Sequence, residues 1–476
     1  MARGVRGGGN IQQSEGEAIR LNSIGDLTYM HEDRVTEARK TWFNNSAFVN
    51  YLCEMDTNKS NLEINLNYQL KIIEEIENYN GIYNDLQNNL YSEFGLNNDS
   101  RSHPNIVELR AAYEHRFNDS KWKLNFGGSY SVLFNKMKLE TRNTIVDNLG
   151  GEPFYANSYD YTEQIGSVFT EVSKSWEKLS VRVGLRSEYT YLNGYSNSLL
   201  TQFIDSVYFL PFPTASILYE PTDKIAMSLR YSSGINRPQF SNYDPFVKVL
   251  DSLSIQYGNP NLRPSTLQNF GFDIDLFFAY SLSVDYTFAN DVHSNLNFIE
   301  DSTFLLNSTP WNADRSHKLS FSLNLPIKTK WVDGWNSFSL VYNKYEFSSI
   351  FNRSNFDNVN FSFWSTLNFH LRRKFTISNR IYIVRWGDDS SVAQTMTNWG
   401  VRLTKKMMKN RLKIFFDISD ILSPQYVGTI IGNNFKSESL MQYQFTSFKI
   451  GCHYKFGRLK KSIKIKGSSS EQSGRI

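Results

Sequence analysis

No run of about eighteen consecutive apolar residues occurs in this chain, which excludes an ordinary membrane-spanning helix. Mean hydropathy is −0.44 and hydrophobic residues make up 40%, so the chain is not a bundle of such helices. Cysteine is nearly absent: 476 residues contain only Cys53 and Cys452. That count supplies neither a disulfide framework nor the spacing of a zinc site. Both fall on the apolar phase of their segments, where a small packed or lipid-facing residue is expected. Excess charge is lacking too. The net +4 comes from 51 basic and 47 acidic residues and gives no case for nucleic acid. There is no G-x-S-x-G, P-loop or H-E-x-x-H pattern, and no repeat of fixed length of the kind that marks a propeller. Met1–Asn10 contains no apolar stretch of an export signal.

What is present is alternation. In Asn61–Lys71, Leu62, Ile64, Leu66, Tyr68 and Leu70 share one phase, and Asn61, Glu63, Asn65, Asn67 and Gln69 the other. Side chains of a strand alternate faces, so such a segment has one apolar and one wet surface. The pattern recurs along the chain, as at Trp122, Leu124, Phe126, Gly128, Tyr130, Val132 and Phe134. Aromatic residues reach 15%, a load that girdles at two membrane interfaces would use. Strand pairs with short turns are expected at 46–55/60–72, 104–116/121–136, 158–174/178–193, 205–219/224–236, 266–277/280–290, 316–328/335–348, 357–371/374–386 and 393–405/410–419. A last strand is expected at 440–456 and a first at Gly25–His31. Long connections lie between the pairs, notably 73–103, 137–157, 237–265, 291–315 and 420–439. Short turns alternating with long loops suit a bacterial barrel, with the short turns in the periplasm. Ile73, Ile76, Tyr79, Tyr83, Leu86 and Leu90 also fit helical spacing, so part of 71–94 is expected to be helical.

The polar phase carries charge: Arg182, Arg186 and Glu188, then Asp273, Asp275 and Asp285, then His370, Arg380, Lys413, Asp417 and Lys449. A dry core does not accept so many ions, whereas a wet lumen does. The expected fold is therefore all-β: a transmembrane antiparallel β-barrel with about eighteen strands, even in number as this class requires. The alternative is a large soluble β-sandwich whose polar phase faces water. Three regions follow: a flexible segment at 1–24, the barrel at 25–456 and a basic, disordered tail at 457–476. That tail carries Arg458, Lys460, Lys461, Lys464 and Lys466; it is solvated, or else touches anionic headgroups.

Arg230-Tyr231-Ser232-Ser233-Gly234-Ile235-Asn236-Arg237-Pro238 leads into Tyr257-Gly258-Asn259-Pro260-Asn261-Leu262-Arg263-Pro264. These stretches resemble the outer-membrane β-barrel family related to TonB-dependent receptors. Phe415–Leu422 and the ending Tyr454-Lys455-Phe456-Gly457 are similar to the closing strands of such receptors. In the loop motif, Pro260 and Pro264 fix φ and remove donors, while Gly258 and Asn259 permit a tight bend. Ser265 stands where the family usually has Glu. The resemblance spans roughly 40–476 and implies residence in the Gram-negative outer membrane. It implies ligand capture by outer loops, uptake through the lumen and insertion by the barrel-assembly machinery.

Receptor barrels of this kind have about 22 strands, with a plug and a motif for an energy-transducing partner. Neither plug nor motif is visible before Gly25, so plug, motif and the first strands are expected to be encoded upstream if they exist, which would raise the count from about eighteen to about 22. A TonB-type partner is expected only in that case. The other reading is a plugless pore or scaffold. Tyr243, Phe246, Tyr257 and Trp311 are the candidate contacts for an unknown small ligand. No cofactor is expected, and no enzyme activity. His293 and His317 lie near Asp291 and Asp314 in sequence, but loop neighbours are common and geometry must decide. His103, His115 and His453 have no metal-ligand spacing.

Overall fold

A computed structural model describes residues 2–455 apart from 25–26, 57–59, 86–89, 118–120, 144–154, 245, 252–253, 278, 300–305, 349–354, 388–393, 423–425, 432–435 and 442–445. The described chain is almost entirely strand. The first strands are β1 (Ala2–Ile24), β2 (Leu27–Glu54), β3 (Asn61–Asp85), β4 (Leu90–Ser102), β5 (Asn105–Arg116) and β6 (Trp122–Asn143). Next come β7 (Tyr155–Ser175), β8 (Leu179–Ser196), β9 (Thr201–Thr222), β10 (Ile225–Asn236), β11 (Lys248–Asp251) and β12 (Ser254–Gln256). Then follow β13 (Ser265–Leu276), β14 (Tyr280–Ile299), β15 (Leu306–Lys328), β16 (Val332–Glu346), β17 (Phe356–His370) and β18 (Phe375–Trp386). The last are β19 (Gln394–Met407), β20 (Leu412–Ser419), β21 (Tyr426–Ile431), β22 (Lys436–Met441) and β23 (Ser447–Tyr454).

All belong to one sheet, and each wall strand pairs antiparallel with its neighbour in sequence. β4 and β5 share one wall position, because both run between β3 and β6. Likewise β20 continues as β21, and β22 as β23, in one long hairpin. β1 pairs with β22 through Ala18–Ser23, which closes the ring of pairings. Counted this way, eighteen positions make up the described wall. Only β11 and β12 stand outside it, as a small hairpin within the 237–265 connection.

The period of two sorts the faces. Leu229, Phe270, Val168, Val183, Leu185 and Phe209 stay exposed on the outside. Opposite to them in phase, Arg230 pairs with Asp273 and Asp285, and Asp417 accepts from Arg380 and Arg402. Apolar side chains left bare and charges turned inward are the pattern of a wall with lipid outside and water inside. Cys53 and Cys452 are both free thiols, and Cys452 lies beside Ile414.

Several expectations need correction. Ala2–Ile24, expected to be flexible, forms β1 against the whole length of β2. Its Gly7-Gly8-Gly9 start hides any alternation, but β2 pairs with the backbone groups on one side of the strand along its length, and such pairing needs no side-chain pattern. Gly25 and Asp26 lie outside the described residues, and the expected first strand is part of β2. The helical reading of 71–94 fails as well. Ile73, Ile76 and Tyr79 belong to β3 and pair with β2 and β4, and ladder pairing overrides a marginal helical period. Much of 137–157 and 291–315 is strand rather than loop, since β6, β7, β14 and β15 run on past the expected ends. The 457–476 tail lies outside the described residues.

Candidate functional site

The connection between β10 and β13 does not project away from the barrel. It folds into the bore. Phe240, Tyr243 and Leu262 form one apolar cluster with the wall residues Ile106, Leu133, Tyr159, Tyr161, Leu192 and Ile204. These wall residues lie on the inward phase, where the alternation would call for polar groups. Tyr243 stacks on Tyr161 at 6.1 Å between centroids, 18° from parallel. A second cluster joins Val249 of β11 to Tyr79, Phe94 and Leu96.

A buried ion cluster holds the root of this segment. Arg237 is 1% exposed at its side chain, Glu188 2% and Glu163 0%. Arg237 Nη2 donates to Glu188 Oε2 at 2.6 Å and to Thr190 Oγ1 at 3.0 Å. Its Nε donates to Tyr208 Oη at 3.0 Å and stands 3.7 Å from Glu163 Oε1. Arg186 holds the second oxygen of Glu188 at 2.5 Å, and Tyr161 Oη donates to Glu163 at 3.0 Å. The two carboxylates thus have cationic and hydroxyl partners, as burial requires.

The motif turn locks the other end of the segment. Gly258 N–H donates to Asp244 O and Asn259 N–H to Asn242 O, each at 2.7 Å. A side chain at Gly258 would meet Asp244 O at 2.4 Å and Asn242 O at 2.6 Å, so only glycine fits there. The Asn259 side chain accepts from Asn261 N–H and donates to Pro310 O. Pro260 and Pro264 bracket the turn, and β12 runs parallel to the start of β15. Arg263 closes the motif by pairing with Asp291 at 2.7 Å.

Two cavities bear on the site, one of them formed with the segment and one by the wall alone. One of about 290 Å³ lies between the segment and the wall, lined by Glu75, Lys138, Asp244, Phe246, Lys248 and Tyr257 among others. Burial pushes the Asp244 carboxyl up to about 6, against hydrogen bonds from Phe246 N–H and the Asn157 amide that hold it down. A larger chamber of about 620 Å³, nearer the short turns, is lined by Glu108, Arg110, Ser167, Glu171 and Arg186 among others.

Of the four candidate ligand contacts, the structure brings Phe246 and Tyr257 together at the smaller cavity. Tyr243 is 1% exposed and packs in the apolar cluster instead. Trp311 is a half-buried residue of β15 opposite Ser294. Neither sequence dyad forms: His293 donates to Arg263 O, while Asp291 is taken by Arg263. His317 bonds Tyr286 Oη at 2.8 Å. Arg237, Glu188 and Glu163 were not singled out together by the sequence. The signal that marks their surroundings is the loss of alternation at Tyr159, Tyr161 and Leu192.

Fold and site define an outer-membrane β-barrel with a connection folded into its lumen. Residues 54–454 match the outer membrane protein beta-barrel family, and the chain belongs to that family. It is an integral protein of the Gram-negative outer membrane. No curated protein sequence matches it. Among solved structures, the copper transporter OprC has a TM-score of 0.55 at 9% identity, over 91% of this chain and 80% of that one. The siderophore receptor PiuA from Acinetobacter baumannii scores 0.50 at 11% identity, over 92% and 80%. The ferric yersiniabactin uptake receptor FyuA from Yersinia pestis scores 0.50 at 12% identity, over 92% and 79%. Identities this low establish a shared fold.

Proposed function

We propose that this barrel is the wall of a TonB-dependent type of receptor, non-catalytic, which captures a scarce small ligand at its outer end and admits it through the lumen. The observation that carries this reading is the in-folded 237–265 segment, pinned by Arg237 to Glu188. A segment held in the bore by a buried, partnered clamp presents fixed groups to whatever enters, which suits selective capture. Phe246 and Tyr257 line the cavity together with Asp244, Glu75, Lys138 and Lys248, a mixture of aromatic and charged groups that suits a polar ligand with a flat part. Fold relatives that take up ferric siderophores or copper support metal chelates as the first ligands to test.

The test is uptake of radiolabelled ferric chelates and of copper by cells with and without the gene, before and after a protonophore. Uptake that needs both the gene and the proton gradient is expected. Uptake that ignores the protonophore sinks the energised reading. The second reading, an unplugged pore or scaffold, has one observation in its favour: Trp364, on the same face as Arg380, stays 57% exposed. The described residues therefore leave the bore open beside Trp364.

A further inference from the structure

The short turns of the barrel are unequal in charge. From β2 to β14 they carry Asp56, Glu177 and Asp223 against Lys121, Lys178 and Lys224, a balanced set among the described residues. From β15 to the end of β23 the described turn residues include no acidic side chain. Lys330, Arg372, Arg373, Lys374, Lys409 and Arg411 instead stand exposed at successive turns of neighbouring hairpins. No salt bridge among the described residues neutralises any of the six. Like charges gathered without counter-ions repel one another unless something negative faces them.

The turns also differ in what surrounds the charges, and that points to what faces them. The turn backbones are unfavourable for the residues they carry. Arg373 and Lys374 have φ of 59° and 62°, and Met408, Lys409 and Asn410 have 50°, 52° and 70°. Left-handed backbone favours Gly or Asn, yet Arg373 and Lys374 occupy it in the loop closed by Leu371 and Phe375; the balanced turns carry the same feature at Lys121 and Phe277, so it does not set the arc apart. Apolar side chains also stand among the charges: Trp331 and Met408 are each 62% exposed and Leu371 48%. Lys405 lies over the Phe375 ring at 3.8 Å and donates to Arg373 O. Aromatic residues mark the level of the headgroups in such barrels. This places the basic arc beside the end of the lipid-facing wall.

We infer that the basic arc at Lys330, Arg372–Lys374, Lys409 and Arg411 docks anionic phospholipid headgroups of the periplasmic leaflet, with Trp331 and Met408 seated in the bilayer boundary. The arc recruits a shell of phosphate-bearing lipid on one side of the barrel only. The inference rests on family membership and on short turns facing the periplasm, and is independent of what the barrel transports.

The test uses the full chain folded in mixed micelles of phosphatidylcholine and phosphatidylglycerol, with retained lipids counted by native mass spectrometry. The wild type is expected to retain phosphatidylglycerol over phosphatidylcholine by about tenfold, and salt should weaken the preference. R372Q/R373Q/K374Q/K409Q/R411Q should abolish it, while K121Q/K178Q/K224Q on the balanced arc should leave it intact. R373N/K374G guards against misfolding: it relieves the turn, so resistance to denaturation should hold or rise while lipid preference drops. Equal retention of both lipids by the wild type, or an unchanged preference in the five-fold variant, overturns the proposal. So does displacement of the phosphatidylglycerol by soluble polyglutamate at matched charge, which would assign the arc to an acidic protein.

Discussion

Gly258 sits between two carbonyl groups that leave no space for a methyl group. Gly258→Ala must push the motif turn away from Asp244 and Asn242, at about 1–3 kcal/mol by analogy with overpacked sites. Amide exchange at Asn259 should accelerate accordingly, with the barrel wall unaffected. Arg237 tests the clamp. Arg237→Met removes the cation shared by two buried carboxylates and leaves Glu188 to Arg186 and Glu163 to Tyr161; breaking a buried pair costs about 3–5 kcal/mol, and these remaining partners hold the loss to the lower end. Limited proteolysis should then cut the 237–265 segment much faster than in the wild type. Adding Glu188→Gln and Glu163→Gln should restore much of the protection, because the charge that then loses a carboxylate, Arg186, is half exposed and reaches water. Asp244 sets a pH dependence. Its carboxyl is raised from 3.8 to about 6, so the docked segment binds more protons than an undocked one between those values. The contribution of Asp244 to docking is therefore fully present below about pH 4 and is lost as pH rises through about 6, by on the order of 3 kcal/mol. Exchange of the Gly258 amide, corrected for its intrinsic rate, should show this slope in the wild type and lose it in Asp244→Asn.

At the scale of single elements, alternation decides which substitutions a strand tolerates. Leu229 of β10 is 55% exposed, next to Ile217 and Phe272. Arginine there would face hydrocarbon and cost about 2–4 kcal/mol near the middle of the bilayer. The same residue in place of Ser129, which faces the 620 Å³ chamber, should cost far less. Urea unfolding of both variants in lipid vesicles checks the contrast. Strand phase was legible in the sequence because each residue's environment follows from its parity. Strand ends were not. β3 runs to Asp85 and β14 to Ile299 because neighbouring strands and the in-folded segment offer partners beyond the membrane. No local pattern in 73–85 announces those partners, and its isoleucines and tyrosines fit either period.

The whole molecule is expected to depend on an apolar solvent. Withdrawal of detergent from the purified chain should give aggregation, visible by light scattering. A folded monomer in plain buffer would contradict the barrel. The apolar outer wall, the charged lumen, the approximate strand number and the family follow from the chain alone. They need only period-two patterning and one loop motif, both local properties. Where the 237–265 connection goes was settled only in three dimensions. Pro260, Pro264 and Gly258 say that the chain must turn, but not to which side of the wall. That depends on apolar residues at Tyr159, Tyr161, Ile106 and Leu133, far away in sequence, and on a carboxylate at Glu188 waiting for Arg237. Burial and charge pairing between distant segments exist only once the sheet has closed, and so no single stretch of sequence encodes them.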